Sequence, residues 1–205
     1  MPILHRLKQT INQSGLLQGI YDLSKIIIEF SLLYLVREGI SEEDGQNIKP
    51  KLDPCEVDFL KPSEMKIISS SLEVSETENV LLKRLSEGQL CIGIKHHNDI
   101  AAYMWCNLRE CTYIRYNLGE DEVYLWDART ISSYRGKSLA PYLRVELYRH
   151  LRQMGRTKFI SLTNYFNTPA IRFKEKLNAK PEKLYLSIRL FKKYERAILL
   201  RSYKN

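Results

Sequence analysis

Hydrophobic positions along the chain change their spacing near residue 50. Leu16, Leu17, Ile20, Leu23, Ile27, Phe30 and Tyr34 recur at three- and four-residue steps, the period of a helix with one buried face. This spacing predicts a helix from Leu4 to about Ile40, capped by Ser14 before Gly15 and ended by Gly39. Aromatic and aliphatic residues crowd into Phe30 to Arg37, so a strand is the competing reading there. Ser41 to Pro54 is polar, carries Gly45, Pro50 and Pro54, and reads as a linker. The expected division is therefore an N-terminal helical extension with its linker over residues 1–50, and a domain over 51–205.

Beyond the linker, short alternating segments interleave with helical ones. Strands are expected at Glu56 to Leu60, Leu90 to Lys95, Ile100 to Leu108, Glu122 to Thr130, Lys158 to Thr163, Lys183 to Phe191 and Arg196 to Tyr203. Helices are expected from about Pro62-Ser63-Glu64, from the acidic Ser75-Glu76-Thr77-Glu78 to Gly88, over Pro141 to Met154, and over Thr168 to Leu177. His97-Asn98-Asp99 suits a hairpin turn. The mixture predicts an α+β fold with a mixed, largely antiparallel sheet flanked by helices, and one strand–helix–strand passage in its second half.

Composition narrows the class. With 205 residues and 44% hydrophobic content, the chain can bury a core without staples. Cys55, Cys91, Cys106 and Cys111 show no C-x-x-C pair and no histidine at ligand spacing, so no metal site is expected. Free thiols in apolar runs suit a reducing, cytoplasmic setting. Ile26 to Val36 is too short to span a bilayer, which needs about 20 apolar residues, and it lacks the pattern of a signal peptide. The formal charge of +8 favours an anionic partner. No aromatic-basic RNA-binding signature or helix-turn-helix spacing accompanies it, so nucleic acid is not expected.

One stretch carries chemistry. The strand Glu122 to Thr130 runs through Ile131-Ser132-Ser133-Tyr134 into Arg135-Gly136-Lys137-Ser138-Leu139-Ala140, and then into a helix. A small, basic loop opening a helix presents unpaired backbone N–H groups at the positive end of the helix dipole, where a pyrophosphate binds. Arg135 and Lys137 add charge at its rim.

These residues resemble the GNAT superfamily of acyl-CoA-dependent N-acyltransferases, whose hallmark is [Gln/Arg]-x-x-Gly-x-[Gly/Ala] after the fourth strand. Arg135-Gly136-Lys137-Ser138-Leu139-Ala140 fits it with one departure, Ser138 standing where the family prefers Gly. Asn167-Thr168-Pro169-Ala170-Ile171-Arg172-Phe173-Lys174-Glu175-Lys176-Leu177 resembles the family's second recurring stretch, the Asn-led helix after strand five. The resemblance covers about Cys55 to Phe191 in element order, and its motifs span Tyr124 to Leu177. It implies acetyl-CoA, or another short acyl-CoA, as co-substrate. Ala128, Arg129 and Thr130 would pair with the pantetheine arm, and the amides from Gly136 to Ala140 would hold the pyrophosphate. Asn167 would contact the cofactor from the neighbouring strand end.

The implied reaction is direct attack of a primary amine on the thioester. Many members carry a Tyr acid seven residues after the helix-leading Asn; this chain has Lys174 there, which reads as a solvated surface lysine, with a proton donor as the competing reading. Leu162 occupies the place of a Glu base found in some members. The remaining catalytic candidates are Asp127, as a base directly or through water, and Tyr124, as an acid or acceptor ligand. His96 and His97 read as exposed turn residues, and His150 as a packed one. Tyr103 and Trp105 serve equally as pocket wall or core.

The expectation is thus an N-acetyltransferase of the GNAT type. The alternative is a catalytically degenerate CoA-binding module with a regulatory or scaffold role. Acceptor, acyl length and oligomeric state are not read. The N-terminal segment is left to three readings: packing on the domain, a protein interface, or a peripheral membrane contact.

Overall fold

The computed structural model describes residues 28–39, 45–191 and 194–203. Its main sheet is built from β1 (Ile28–Glu38), β2 (Glu56–Phe59), β3 (Leu90–His96), β4 (Asp99–Asn107), β7 (Glu122–Thr130), β8 (Lys158–Asn164), β9 (Lys180–Leu190) and β10 (Tyr194–Ser202). A two-residue pair, β5 (Glu110–Cys111) and β6 (Tyr116–Asn117), forms a separate hairpin. The helices are α1 (Met65–Ser69), α2 (Glu78–Ser86), α3 (Leu139–Gln153) and α4 (Thr168–Glu175).

Strand order across the sheet is β10-β9-β1-β8-β7-β4-β3-β2. Every pairing is antiparallel except β7 with β8. A parallel pair needs a crossover, and α3 supplies it. The strand–helix–strand passage expected from the pattern is therefore β7-α3-β8.

Each sheet face is covered by what its alternating side chains can bury. On one face α3 sets Leu139, Leu143, Leu147 and Leu151 against Ile92, Met104, Val123 and Leu125, all fully or nearly fully buried. On the other, Met65 of α1 and Leu81 of α2 pack against Cys91, Tyr103 and Trp105. Fully burying one such aliphatic side chain contributes about 1.5–3 kcal/mol. Gly93 of β3 permits the close fit, because a Cβ there would meet the Leu60 side chain at 2.8 Å.

The helix expected over Leu4 to Ile40 is corrected for Ile28–Glu38, which form an 11-residue inner strand of the sheet, between β8 and β9. Its helical spacing coexists with dense β-branched and aromatic content, and pairing on both edges decides in favour of the strand. The residues before Ile28 lie outside the described ones. Part of the expected linker also packs, since Ile48 and Leu52 contact the core beneath α3. Smaller differences are local. Helix α3 begins at Leu139 rather than Pro141, and Pro62–Glu64 form a 3-10 turn before α1.

Candidate functional site

The parallel pairing of β7 and β8 runs from Glu122↔Lys158 to Leu125↔Ser161 and stops there. Beyond it β7 stays with β4 through Ala102↔Thr130, while β8 stays with β1 through Leu33↔Asn164. The two strands thus lean towards opposite neighbours and open a crevice at their carboxyl ends. That is where ligands bind in sheets with parallel pairs.

A bulge widens the crevice. Tyr103 pairs with Arg129 and Trp105 with Trp126, leaving Asp127 and Ala128 opposite Met104 alone. Asp127 takes the left-handed conformation, with φ of 44°. It is one of a ring of four charges. Arg84 Nη1 donates to Asp127 Oδ2 at 2.9 Å and Arg129 Nε donates to Oδ1 at 3.0 Å. Glu76 accepts from both guanidiniums, each at 3.4 Å. The Arg84 guanidinium also lies over Trp126, 4.5 Å from the ring centroid. Both carboxylate oxygens of Asp127 are therefore engaged.

On the face opposite α3, a cavity of about 410 Å³ opens beside this ring. Tyr124, Trp126, Asp127 and Leu162 line it from the crevice strands, and Leu33 and Glu195 from β1 and β10. The Tyr124 hydroxyl is nearly buried, and burial, with Cys111 beside it, pushes its pKa far above the ordinary tyrosine value. It keeps its proton through the physiological range. Tyr103 and Trp105 are fully buried in the core instead. His150 packs edge-on to Phe59, as a packed histidine was expected to do.

The loop after β7 ends in an open helix mouth. Gly136 has φ of 78°, and a Cβ built on it meets nothing within 4 Å. Ser138 adopts φ of 59° as the residue before α3, and its side chain makes no capping bond. Among the described residues, the amides of Gly136, Lys137 and Ser138 donate to no backbone or side-chain acceptor. The Lys137 carbonyl, by contrast, accepts from the Lys51 amide at 2.8 Å, which fixes the loop from behind. Leu139 is buried, so only its amide is available. Arg135 pairs with Glu73 at 2.8 Å and Lys137 lies over the Tyr134 ring. Unclaimed amides at a helix N-terminus beside two cations fit a diphosphate.

Asn167 is the N-cap of α4, its Oδ1 accepting from the Ala170 amide at 3.1 Å. Seven residues on, Lys174 is the main correction at the site. It is not solvated but 7% exposed. Its ammonium donates to Ser161 Oγ at 2.5 Å and to Thr163 Oγ1, and lies 3.4 Å from Glu38 Oε1. Ser161 is the last residue of the parallel pairing, so this ammonium sits at the apex of the crevice. Burial lowers the Lys174 pKa to about 8, with Glu38 opposing and Arg144 reinforcing the shift. The available sequence signal is its helical spacing from Ala170 and Leu177, four residues after the one and three before the other. Among the described residues, no group of His, Cys, Asp or Glu is arranged to hold a metal ion.

A sheet splayed at one parallel pair, a bulged strand at the crevice and a helix mouth beside it define the acyltransferase-type fold that the resemblance implied. The family model described as the Acetyltransferase (GNAT) family matches residues 60–179, more than half of the sequence, and the chain belongs to that family.

Solved structures agree on the fold. The chain is similar to a putative acetyltransferase of the GNAT family from Novosphingobium aromaticivorans, with 14% identity and TM-score 0.56, over 79% of this chain and 64% of that one. It is similar to a tandem GNAT protein from the clavulanic acid biosynthesis pathway, with 12% identity and TM-score 0.55, over 83% and 57%. An acetyltransferase of the GNAT family from Colwellia psychrerythraea gives 12% identity and TM-score 0.55, over 84% and 61%. The chain thus spans less than two thirds of these relatives' lengths. No curated protein matches the sequence significantly.

Proposed function

We propose that the chain is an N-acyltransferase that moves an acetyl or other short acyl group from CoA to a primary amine by direct attack on the thioester. The observation that carries this reading is the open mouth of α3 beside the crevice, with the amides of Gly136, Lys137 and Ser138 donating to no acceptor among the described residues. In this reading those amides hold the diphosphate, with Arg135 and Lys137 at its rim. Ala128, Arg129 and Thr130 lie beyond the last β7–β8 pair and offer backbone to the pantetheine arm. Asn167 contacts the same arm through its amide group, because its oxygen is spent on the cap.

The amine enters from the cavity lined by Tyr124 and Trp126. Its nitrogen attacks the thioester carbon, a C–N bond forms, the C–S bond breaks and the electron pair leaves on sulfur. Tyr124 is a hydroxyl donor to the acceptor and not a base, because it holds its proton. Asp127, gripped by two guanidiniums, serves chiefly to anchor the bulge, and the proton leaving the amine passes to cavity water. Lys174, at the crevice apex and in the position where the family resemblance implies an acid, is the donor to the departing thiolate. A group with pKa about 8 is matched to that transfer.

The free cysteines Cys55, Cys91, Cys106 and Cys111 suit a reducing setting for this reaction. No helix of the described residues is long and apolar enough to cross a membrane.

Calorimetry with acetyl-CoA, followed by thiol release with a panel of amines, tests this reading. Binding with amine-dependent thiol release supports the enzyme. Binding without release from any amine supports the degenerate CoA-binding module, a reading favoured only by the engagement of both Asp127 oxygens. No binding removes both.

A further inference from the structure

Behind the crevice lies a buried cluster whose charges do not balance. Glu38 of β1 faces two cations, Lys174 of α4 and Arg144 of α3, whose Nε is 3.4 Å from Glu38 Oε2. All three are at most 7% exposed. Tyr148 Oη of α3 donates to Glu38 Oε2 at 2.7 Å, and Ser161 Oγ of β8 donates to Glu38 Oε1. Thr163 Oγ1 and the Leu162 carbonyl complete the surroundings of the Lys174 ammonium. Arg144 Nε and Nη1 find no hydrogen-bond acceptor. Burial works against the Glu38 charge, but Arg144, Lys174 and the two hydroxyls overcome it and hold the carboxyl below its ordinary value.

Among the described residues, two buried cations against one carboxylate leave one positive charge uncompensated, and an isolated buried charge is costly. Such a cluster is arranged to meet a negative charge that arrives transiently. Its outermost member is the Lys174 ammonium, against the last residue of the β7–β8 pairing.

Resting on the reading of Lys174 as the thiolate's acid, we propose that Glu38 is the positioning residue that holds that ammonium at the crevice apex, with Arg144 as its electrostatic counterweight. Glu38 stands outside residues 60–179 that the family model matches, so the N-terminal strand completes the site. The step balances within the site. As the C–S bond breaks, the proton on Lys174 Nζ passes to sulfur, the thiol leaves, and the neutral amine regains a proton from water. Glu38 attracts the proton on Lys174 and Arg144 repels it, so their removal has opposite effects on the pH at which turnover fails.

The test is the pH profile of kcat under saturating acetyl-CoA and amine, for wild type, Glu38→Gln, Arg144→Met and Lys174→Met. Binding of acetyl-CoA is measured in each by calorimetry. The wild type is expected to lose activity as pH rises through about 8. Glu38→Gln moves that limb down and Arg144→Met moves it up, each by about one unit. Lys174→Met lowers kcat by about 100-fold or more and removes the limb. Should Glu38→Gln fail to fold, Arg144→Met keeps a neutral Glu38–Lys174 pair and carries the test. Limbs that stay in place in the variants, or a Lys174→Met enzyme with the wild-type profile, overturn the proposal. Amine-dependent turnover in such an enzyme leaves the acyltransferase reading standing, whereas a wild type without acetyl-CoA binding fails that reading first.

Discussion

At the scale of single residues, backbone conformation and charge pairing decide what each candidate can do. Ser138 holds φ of 59°, a left-handed conformation that glycine adopts freely and other residues adopt at a cost of about 1–2 kcal/mol. Ser138→Gly is therefore expected to stabilise the fold by about 1 kcal/mol in urea unfolding while preserving acetyl-CoA affinity. A loss of stability would show that the serine side chain contributes more than its strain costs. Asp127 is bound by Arg84 and Arg129, so Asp127→Asn is expected to lower kcat less than tenfold, through a loosened bulge. A direct general base would instead cost about 100- to 10,000-fold. Tyr124→Phe, read in the same assay under saturating donor, removes one donor in the cavity. If both variants keep full turnover, neither residue takes part in the chemistry.

At the scale of elements, most of the sheet was legible in the sequence because alternation and turn residues mark its boundaries. Glu122 to Thr130 and the helix after it were placed by pattern alone, and so was their parallel return through Lys158 to Thr163. Ile28–Glu38 was read mainly as helix because its apolar residues satisfy both periods, and only its neighbours β8 and β9 select the strand. The cofactor loop was legible because small and basic residues there have few structural uses. Lys174 was misread because a lysine on a short helix is usually solvated, and its partner Glu38 lies 136 positions earlier in the chain. The triad also predicts an order of stabilities. Glu38→Gln leaves two buried cations facing one another and is expected to cost about 3–5 kcal/mol. Lys174→Met leaves a balanced Glu38–Arg144 pair and is expected to cost much less. Chemical denaturation of the two variants checks this, and equal losses would mean that the cluster is not charge-imbalanced in solution.

At the scale of the whole molecule, the splay of one parallel pair organises everything else. It places the mouth of α3 and the bulge on one side of the crevice, and Ser161 with Lys174 on the other. The cavity beyond Tyr124 opens on the opposite sheet face, so donor and acceptor approach the same gap from two sides. This division explains why the donor side could be read from sequence while the acceptor side could not. The donor contacts are backbone groups with strict size limits, whereas the cavity is walled by side chains from α2, β1, β7, β8, β9 and β10 that no contiguous motif records. The charge of +8 was a poor guide to it, because Arg84 and Arg129 on its wall are each paired with carboxylates. Calorimetric titration of acetyl-CoA into the wild-type chain and into Gly136→Val tests the central claim most directly. A Cβ at Gly136 meets no atom of the described residues within 4 Å beyond its chain neighbours, so a valine there reaches into the space assigned to the diphosphate and also strains the loop at φ of 78°. The account predicts single-site binding to the wild type and a loss of affinity of tenfold or more in the variant; equal affinity in the two, or none in the wild type, would contradict it.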